Sequence, residues 1–248
     1  MTIDSVHKNR FLTPSRPMEK GLLSAWELNQ VRICSCERCP RLVSLHRQIK
    51  STRAAVYASQ SFWNRPVPGF GDPFARILVV GLAPTVSGSN RTGRLFTGDS
   101  AGDFLFSAMY RAGFSNQPHS RSFADEIVLK DVYLSSIVRC VAPKNRPYLS
   151  EIDTCQIFLE SEIRQLKELQ GVIVLGHFAF DRVLTIYRAW GTDIPHIKFE
   201  HGAMFYPSPN LPWILCSYHP SRQNTQTGRL KETTFDSIWE KAQLALMP

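Results

Sequence analysis

Four apolar runs, each opening into a polar loop and then a helical pattern, constrain this chain more than any other feature. ARILVVGLAP (residues 75–84) is continuously apolar, as expected of a strand covered on both faces. DVYLSSIVRC (131–140), GVIVLG (171–176) and PWILCSYH (212–219) are three more strand candidates. The segments between and after them, 100–114, 150–171, 177–191 and 231–247, carry helical spacing. The first of these ends at Gly113, and the second opens with a Ser-x-x-Asp start resembling a capping box. This alternation predicts an α/β three-layer sandwich, with a central four-stranded parallel sheet flanked by helices and linked by right-handed crossovers. The first twenty residues lack the apolar centre of a secretion signal and hold prolines among basic and polar residues. Residues 1–30 are therefore expected to form a loose N-terminal arm, and 31–248 a single domain in the cytoplasm. No apolar run has membrane-spanning length.

In an open parallel sheet, ligands bind beyond the carboxyl ends of the strands. Four loops should converge there: GLAPTVSGSNRTGRLFTGD (81–99), CVAPKNRPYL (140–149), GHFAF (176–180) and SYHPSRQNTQTGRL (217–230). The chain has 29 Lys and Arg against 21 Asp and Glu, a net charge of +8, which favours a polyanionic partner if the charge is clustered. Asn90, Arg91 and Arg94 share one of these loops, Arg139, Lys144 and Arg146 a second, and Arg222 and Arg229 a third. Together they predict a basic rim.

Cys36 and Cys39 form a Cys-x-x-Cys pair, while Cys140 and Cys155 lie at the second strand's end and in the next helix. Four such thiols fit zinc, an iron–sulfur cluster, or buried thiols without metal. Cys34 and Cys216 have no partner spacing. The glycine-rich loop after the first strand contains neither G-x-G-x-x-G nor the Walker spacing, so dinucleotide or nucleotide binding by those routes ranks last. His219 ends a strand and precedes a stiffening proline, a placement that suits either a structural imidazole or a hydrogen-bond donor to developing negative charge. Phe96 is an aromatic in a polar loop, read as a stacking surface or a plug into the sheet. Asp99 sits where a helix cap is needed, and His177 reads as a packed residue.

GLAP followed by SNRTGRLFTGD, VRC with P-x-N-x-P, SYHPSRQNTQTGRL and CERCPRLV, in that order, resemble the type-5 branch of the uracil-DNA glycosylases, from about Cys36 to the C-terminal helix. The resemblance implies hydrolytic removal of uracil, and of other deaminated bases, from double- or single-stranded DNA at the start of base excision repair, by a monomer. It also implies one 4Fe-4S cluster on Cys36, Cys39, Cys140 and Cys155. By position it assigns residues 81–85 to a water-binding motif with Thr85 orienting the water, and His219 to the leaving-group motif. Gly81, Phe96 and Asn145 fall to the base, with Ser136 where related branches carry a strand asparagine. Arg91, Arg94, Ser221, Arg222 and Asn224 fall to the DNA strand. Type-5 members commonly follow GLAP with small residues and His-Gly, whereas this chain reads Thr85, Val86, Ser87, Gly88, so water placement is the expected point of divergence. The motif GLAPTVSG holds no acid, and neither motif places a lysine as an amine nucleophile. The rival reading is a non-catalytic iron–sulfur module that binds nucleic acid.

Overall fold

The computed structural model describes residues 24–52 and 60–246. Four parallel strands form the centre, β2 (Ile77–Gly81), β3 (Val132–Ser136), β4 (Gly171–Leu175) and β6 (Trp213–Ser217), and every residue in them is buried. Two short strands, β1 (Phe70–Gly71) and β5 (Met204–Phe205), add antiparallel edges and give the order β1-β3-β2-β4-β6-β5. Hence the four parallel strands expected from the apolar runs form the core of a six-stranded mixed sheet. The two-residue edges carry too little sequence to register as apolar runs.

Alternation along the strands divides the core in two. Leu78, Val80, Tyr133, Val172, Val174, Ile214 and Cys216 face one side, which is covered by α1 (Ala25–Cys34), α5 (Leu149–Gln165) and α6 (His177–Ala189). Ile77, Val79, Val132, Leu134, Ile173, Leu175 and Leu215 face the other, under α4 (Ser100–Arg111) and α8 (Glu232–Ala245). Three further helices are α2 (Pro40–Thr52), α3 (Ser89–Thr92) and α7 (Arg222–Gln226).

Of the expected N-terminal arm, residues 1–23 lie outside the described residues, and the remainder needs correction. Ser24 and Glu27 form a capping box, and α1 runs on from it with Ile33 buried, Gln30 donating to the Tyr133 hydroxyl at 3.1 Å and Trp26 edge-on to Tyr133. Residues 25–30 are therefore part of the packed structure. The capping box expected at Ser150 is also displaced. The Glu151 carboxylate accepts the Tyr148 backbone N–H at 2.7 Å, so the cap falls at Tyr148, two residues earlier, and Asp153 instead pairs with Arg182 at 2.8 Å.

Arg139 was expected on the basic rim, but it is interior. Its guanidinium bonds the Glu162 carboxylate and the Ser135 hydroxyl, the latter at 2.9 Å, and Ser135 also donates to Glu162 at 2.6 Å. Arg139 and Glu162 are both essentially inaccessible. The serines that interrupt β3 explain this, because a hydroxyl facing α5 gives a buried ion pair an additional partner. Removing one member of such a pair strands the other charge in low dielectric. Glu162→Ala is therefore expected to cost about 3–5 kcal/mol of stability, read from the denaturant midpoint. A loss below about 1 kcal/mol would show that the pair is not desolvated as described.

Candidate active site and cysteine-lined cavity

Strand β2 ends at Gly81, and the loop after it is held by its own polar groups. The Thr85 carbonyl accepts Asn90 N–H at 3.0 Å, and the Thr85 hydroxyl accepts Gly88 N–H at 3.2 Å. That hydroxyl donates in turn to Asp99 Oδ2 at 2.5 Å. The other carboxylate oxygen, Oδ1, accepts Gly102 N–H at 2.9 Å and caps α4. One side chain thus starts a helix and holds Thr85. Gly88 closes this cradle, since a Cβ there would lie 2.2 Å from Asp99 Oδ2 and 2.6 Å from Thr85 Oγ1. Val86 and Ser87 are exposed, and the Ser87 carbonyl accepts from Arg91 at 2.7 Å. The departure at Thr85-Val86-Ser87 therefore leaves Val86 and Ser87 exposed, while Thr85 alone bonds the carboxylate.

Phe96 adopts a left-handed backbone (φ 55), with its N–H donating to Ser89 Oγ at 3.0 Å. This brings its ring over the end of β2, where a Cβ on Gly81 would meet Phe96 Cζ at 2.7 Å. The plug reading of Phe96 therefore holds, as the buried ring covers the strand end; it also lies 6.3 Å from the His219 ring, tilted by 32°. His219 is held through its backbone, whose carbonyl accepts Ser221 N–H and Asn224 Nδ2, both at 2.8 Å. Tyr218 beside it is stacked on His201 (4.8 Å, 13°), gives its N–H to His201 Nδ1 at 3.2 Å and lies under the Arg229 guanidinium. Burial lowers the His219 pKa, and the Asp99 carboxylate opposes that shift, so the imidazole is neutral at pH 7 with an acid nearby.

Other expected site residues fare differently. Arg94 is not available to DNA and is corrected to a buried brace. It bonds Asp125, Ser120 Oγ (2.8 Å) and the Ser122 carbonyl (2.6 Å), and lies over Phe70. Arg91 donates to the carbonyls of Ser87 and Gly98, and Asn90 is fully buried. Ser221 caps α7, accepting Asn224 N–H at 3.4 Å, so Ser221 and Asn224 both shape the turn after His219. Arg222 is exposed, with Nε reaching Ser100 Oγ at 3.2 Å. Asn145 is exposed at φ 53 and makes no hydrogen bond to Thr85, Phe96 or His219 among the described residues. Ser136 sits beside Gly81 in the β2–β3 register and donates to the Val138 carbonyl at 2.9 Å. His177 is exposed beside Asp181, not packed as expected. Sequence reasoning placed Asp99 only as a cap and missed its bond to Thr85, because a cap occupies one carboxylate oxygen and leaves no trace of what the second one holds.

Cys36, Cys39, Cys140 and Cys155 border one cavity together with Leu42, Val43, Pro66, Val138 and Phe158. Cys155 Sγ accepts the Arg139 backbone N–H at 3.3 Å. Among the described residues no three His, Cys, Asp or Glu side chains are drawn together tightly enough for one metal ion. Four thiols set around an apolar cavity, with no three of them close enough for one ion, suit a multi-atom cluster better than a single ion. Burial raises the thiol pKa at Cys39, Cys140 and Cys155, the last to about 11.

The family model of the uracil DNA glycosylase superfamily matches residues 68–243, which span the Thr85–Asp99 cradle, Phe96 and His219. The chain is 43% identical over 214 residues to a type-5 uracil-DNA glycosylase of Thermus thermophilus, covering 86% of this chain and 95% of that protein. It is 40% identical over 223 residues to one of Mycobacterium tuberculosis (90% and 82%), and 41% over 211 residues to one of Pyrobaculum aerophilum (85% and 89%). The chain belongs to the type-5 branch of the uracil-DNA glycosylase superfamily. Among the described residues no helix is long and apolar enough to cross a membrane.

The site yields a titration test. Asn at position 99 keeps an oxygen for the α4 cap but removes the charge that raises the His219 pKa. Asp99→Asn is therefore expected to move the His219 midpoint further below its ordinary 6.5 with little change in melting temperature, measured by NMR titration of the imidazole. A midpoint that stays put or rises would mean that the carboxylate does not act on this ring.

Proposed function

We propose that this chain is a monofunctional DNA glycosylase that hydrolyses the N-glycosidic bond of uracil, and of other deaminated bases, in DNA. The observation that carries this reading is the Thr85–Asp99 hydrogen bond on the loop whose Phe96 ring lies 6.3 Å from the His219 ring at the carboxyl edge of the sheet. Family membership supports the same reading and disfavours a non-catalytic binding module.

The chemistry follows from where charge develops. A paired base cannot be reached inside a duplex, so the nucleotide is extruded, and stacking on Phe96 offsets part of the unstacking cost. As the bond between C1′ and the base nitrogen breaks, its electron pair leaves with the base and positive character remains on the sugar. A neutral His219 donates a hydrogen bond to the departing base. In this reading the Asp99 carboxylate stabilises positive charge on the sugar, and with the Thr85 hydroxyl, to which it is bonded, it orients the water that adds to C1′. The carboxylate takes the water's proton and releases it through solvent to the departed base anion, leaving an abasic site and the neutral free base. Asp99 thus supplies the acid that GLAPTVSG lacks. Exposed Lys144, Arg146 and Arg222 contact the backbone without reading sequence.

Cys36, Cys39, Cys140 and Cys155 would hold a 4Fe-4S cluster. When bound, it supplies four iron–thiolate bonds joining the α1–α2 turn to β3 and α5, together with a one-electron redox centre that the hydrolysis does not use. On the protein side, Arg139 N–H fixes the Cys155 sulfur.

Incubation with a labelled duplex carrying one uracil, followed by alkali, should cut the strand at that position. His219→Ala and Asp99→Asn should each slow the excision by at least about a hundredfold. Failure of wild-type protein with intact cysteines to cut would overturn the assignment. Borohydride should trap no protein–DNA adduct, because no step forms a Schiff base; a trapped adduct would replace water with a lysine nucleophile.

A further inference from the structure

The loop leaving β3 carries a second constructed feature, away from the Thr85–Asp99–His219 group. Residues 144–146 and 148–150 are exposed, including Lys144, Arg146, Tyr148 and Leu149. Tyr148 is 60% exposed, yet its ring is not loosely held. The Arg41 guanidinium covers one face at 3.7 Å. Arg41 is fixed in turn by two bonds to Glu151, Nε at 2.8 Å and Nη2 at 2.6 Å. Glu151 then accepts the Tyr148 backbone N–H at 2.7 Å and donates its own N–H to the Tyr148 carbonyl at 3.0 Å. The three residues form a closed unit in which an arginine braces one side of an aromatic ring and the ring remains largely in solvent.

Folding alone does not explain the exposure. A ring needed only to cover Arg41 gains most by burial, and an exposed aromatic costs hydrophobic free energy. Braced aromatics set among cations along a protein edge are what unstacked bases bind, the cations following the backbone and the ring taking a base face. Lys144 and Arg146 precede Tyr148 in the same loop, which leaves the same edge of the sheet as the loops of the proposed active site.

We propose that Tyr148, braced by Arg41 and Glu151, is a stacking platform for an unpaired nucleobase of the DNA strand, outside the pocket that receives the excised base. This rests on the glycosylase reading only for the identity of the partner as DNA. Both sides of the brace come from the cysteine framework, since α2 begins directly after Cys39 and α5 carries Cys155. The platform is thereby mounted on the segment that the four cysteines hold together.

The test is the affinity of the full chain, cysteine site intact, for a fluorescent single-stranded oligothymidylate at several salt concentrations. That probe contains no uracil, so its result is independent of excision activity. Tyr148→Ala should weaken binding by at least about fivefold at every salt concentration, leaving the slope of log K against log salt unchanged. Lys144→Ala should instead reduce that slope by about 0.7. Tyr148→Phe should bind as wild type, and Tyr148→Leu, which keeps an apolar cover on Arg41 without a π face, should bind as weakly as Tyr148→Ala. If Tyr148→Leu binds as tightly as wild type, or if wild type shows no affinity for the oligomer, the proposal is wrong. Should the alanine variant lose its fold or its visible cluster absorbance, the Phe and Leu pair decides.

Discussion

Strands buried on both faces have only their ends to offer a ligand, and this confines the chemistry to the loops at the carboxyl edge of β2, β3, β4 and β6. Loops have no ladder to hold them, so each must be fixed by side chains. Asp99 does most of this work after β2. With one oxygen it starts α4 and with the other it holds Thr85, so the helix that covers one face of the sheet and the loop that meets the substrate share a single carboxylate. After β6, Tyr218 is clamped between His201 and Arg229, which leaves His219 little freedom of direction. Preorganised groups of this kind lower a barrier because nothing has to reorient when charge develops.

The cysteine framework has a comparable logic on the opposite side of the sheet. Helices α1 and α2 have sparse apolar content, yet they are tied to the body by Gln30 on Tyr133, by Arg41 on Glu151 and by the four thiols around one cavity. Arg139 ties this framework to β3 and α5. It follows β3 directly, its backbone N–H reaches Cys155 and its side chain is neutralised by Glu162 from α5. A buried cation is costly to place and equally costly to leave unpaired, so Ser135 and Glu162 are fixed as its partners beside the cysteine cavity.

The central strands could be read directly from the sequence because burial on both faces writes a continuous apolar run, as in residues 77–81 and 171–175. The edges β1 and β5 could not, because two residues make no pattern. The cysteine set was legible through its spacing and the family resemblance, and His219 through its place at a strand end before proline. Charge was the least legible property. An arginine in a polar loop reads the same whether it points to solvent, as Arg222 does, or inward, as Arg94 does; the difference lies in Asp125 and Ser120, which are distant in sequence. Asp99 was recognisable as a cap but not as a site acid, since its second partner lies 14 residues earlier.

Gly88 bears on how such sequences are sorted. Positions 86 and 87 face solvent, so they can change without disturbing the Thr85–Asp99 bond, whereas any side chain at 88 would displace the carboxylate. A search pattern that treats the two residues before this glycine as diagnostic would discard chains whose Thr85–Asp99 cradle is intact. One anchored on Gly81, Gly88, Phe96 and Asp99 would follow the atoms that constrain one another. The same distinction tells an engineer where diversity is tolerated, in the two outward residues and not in the glycine after them.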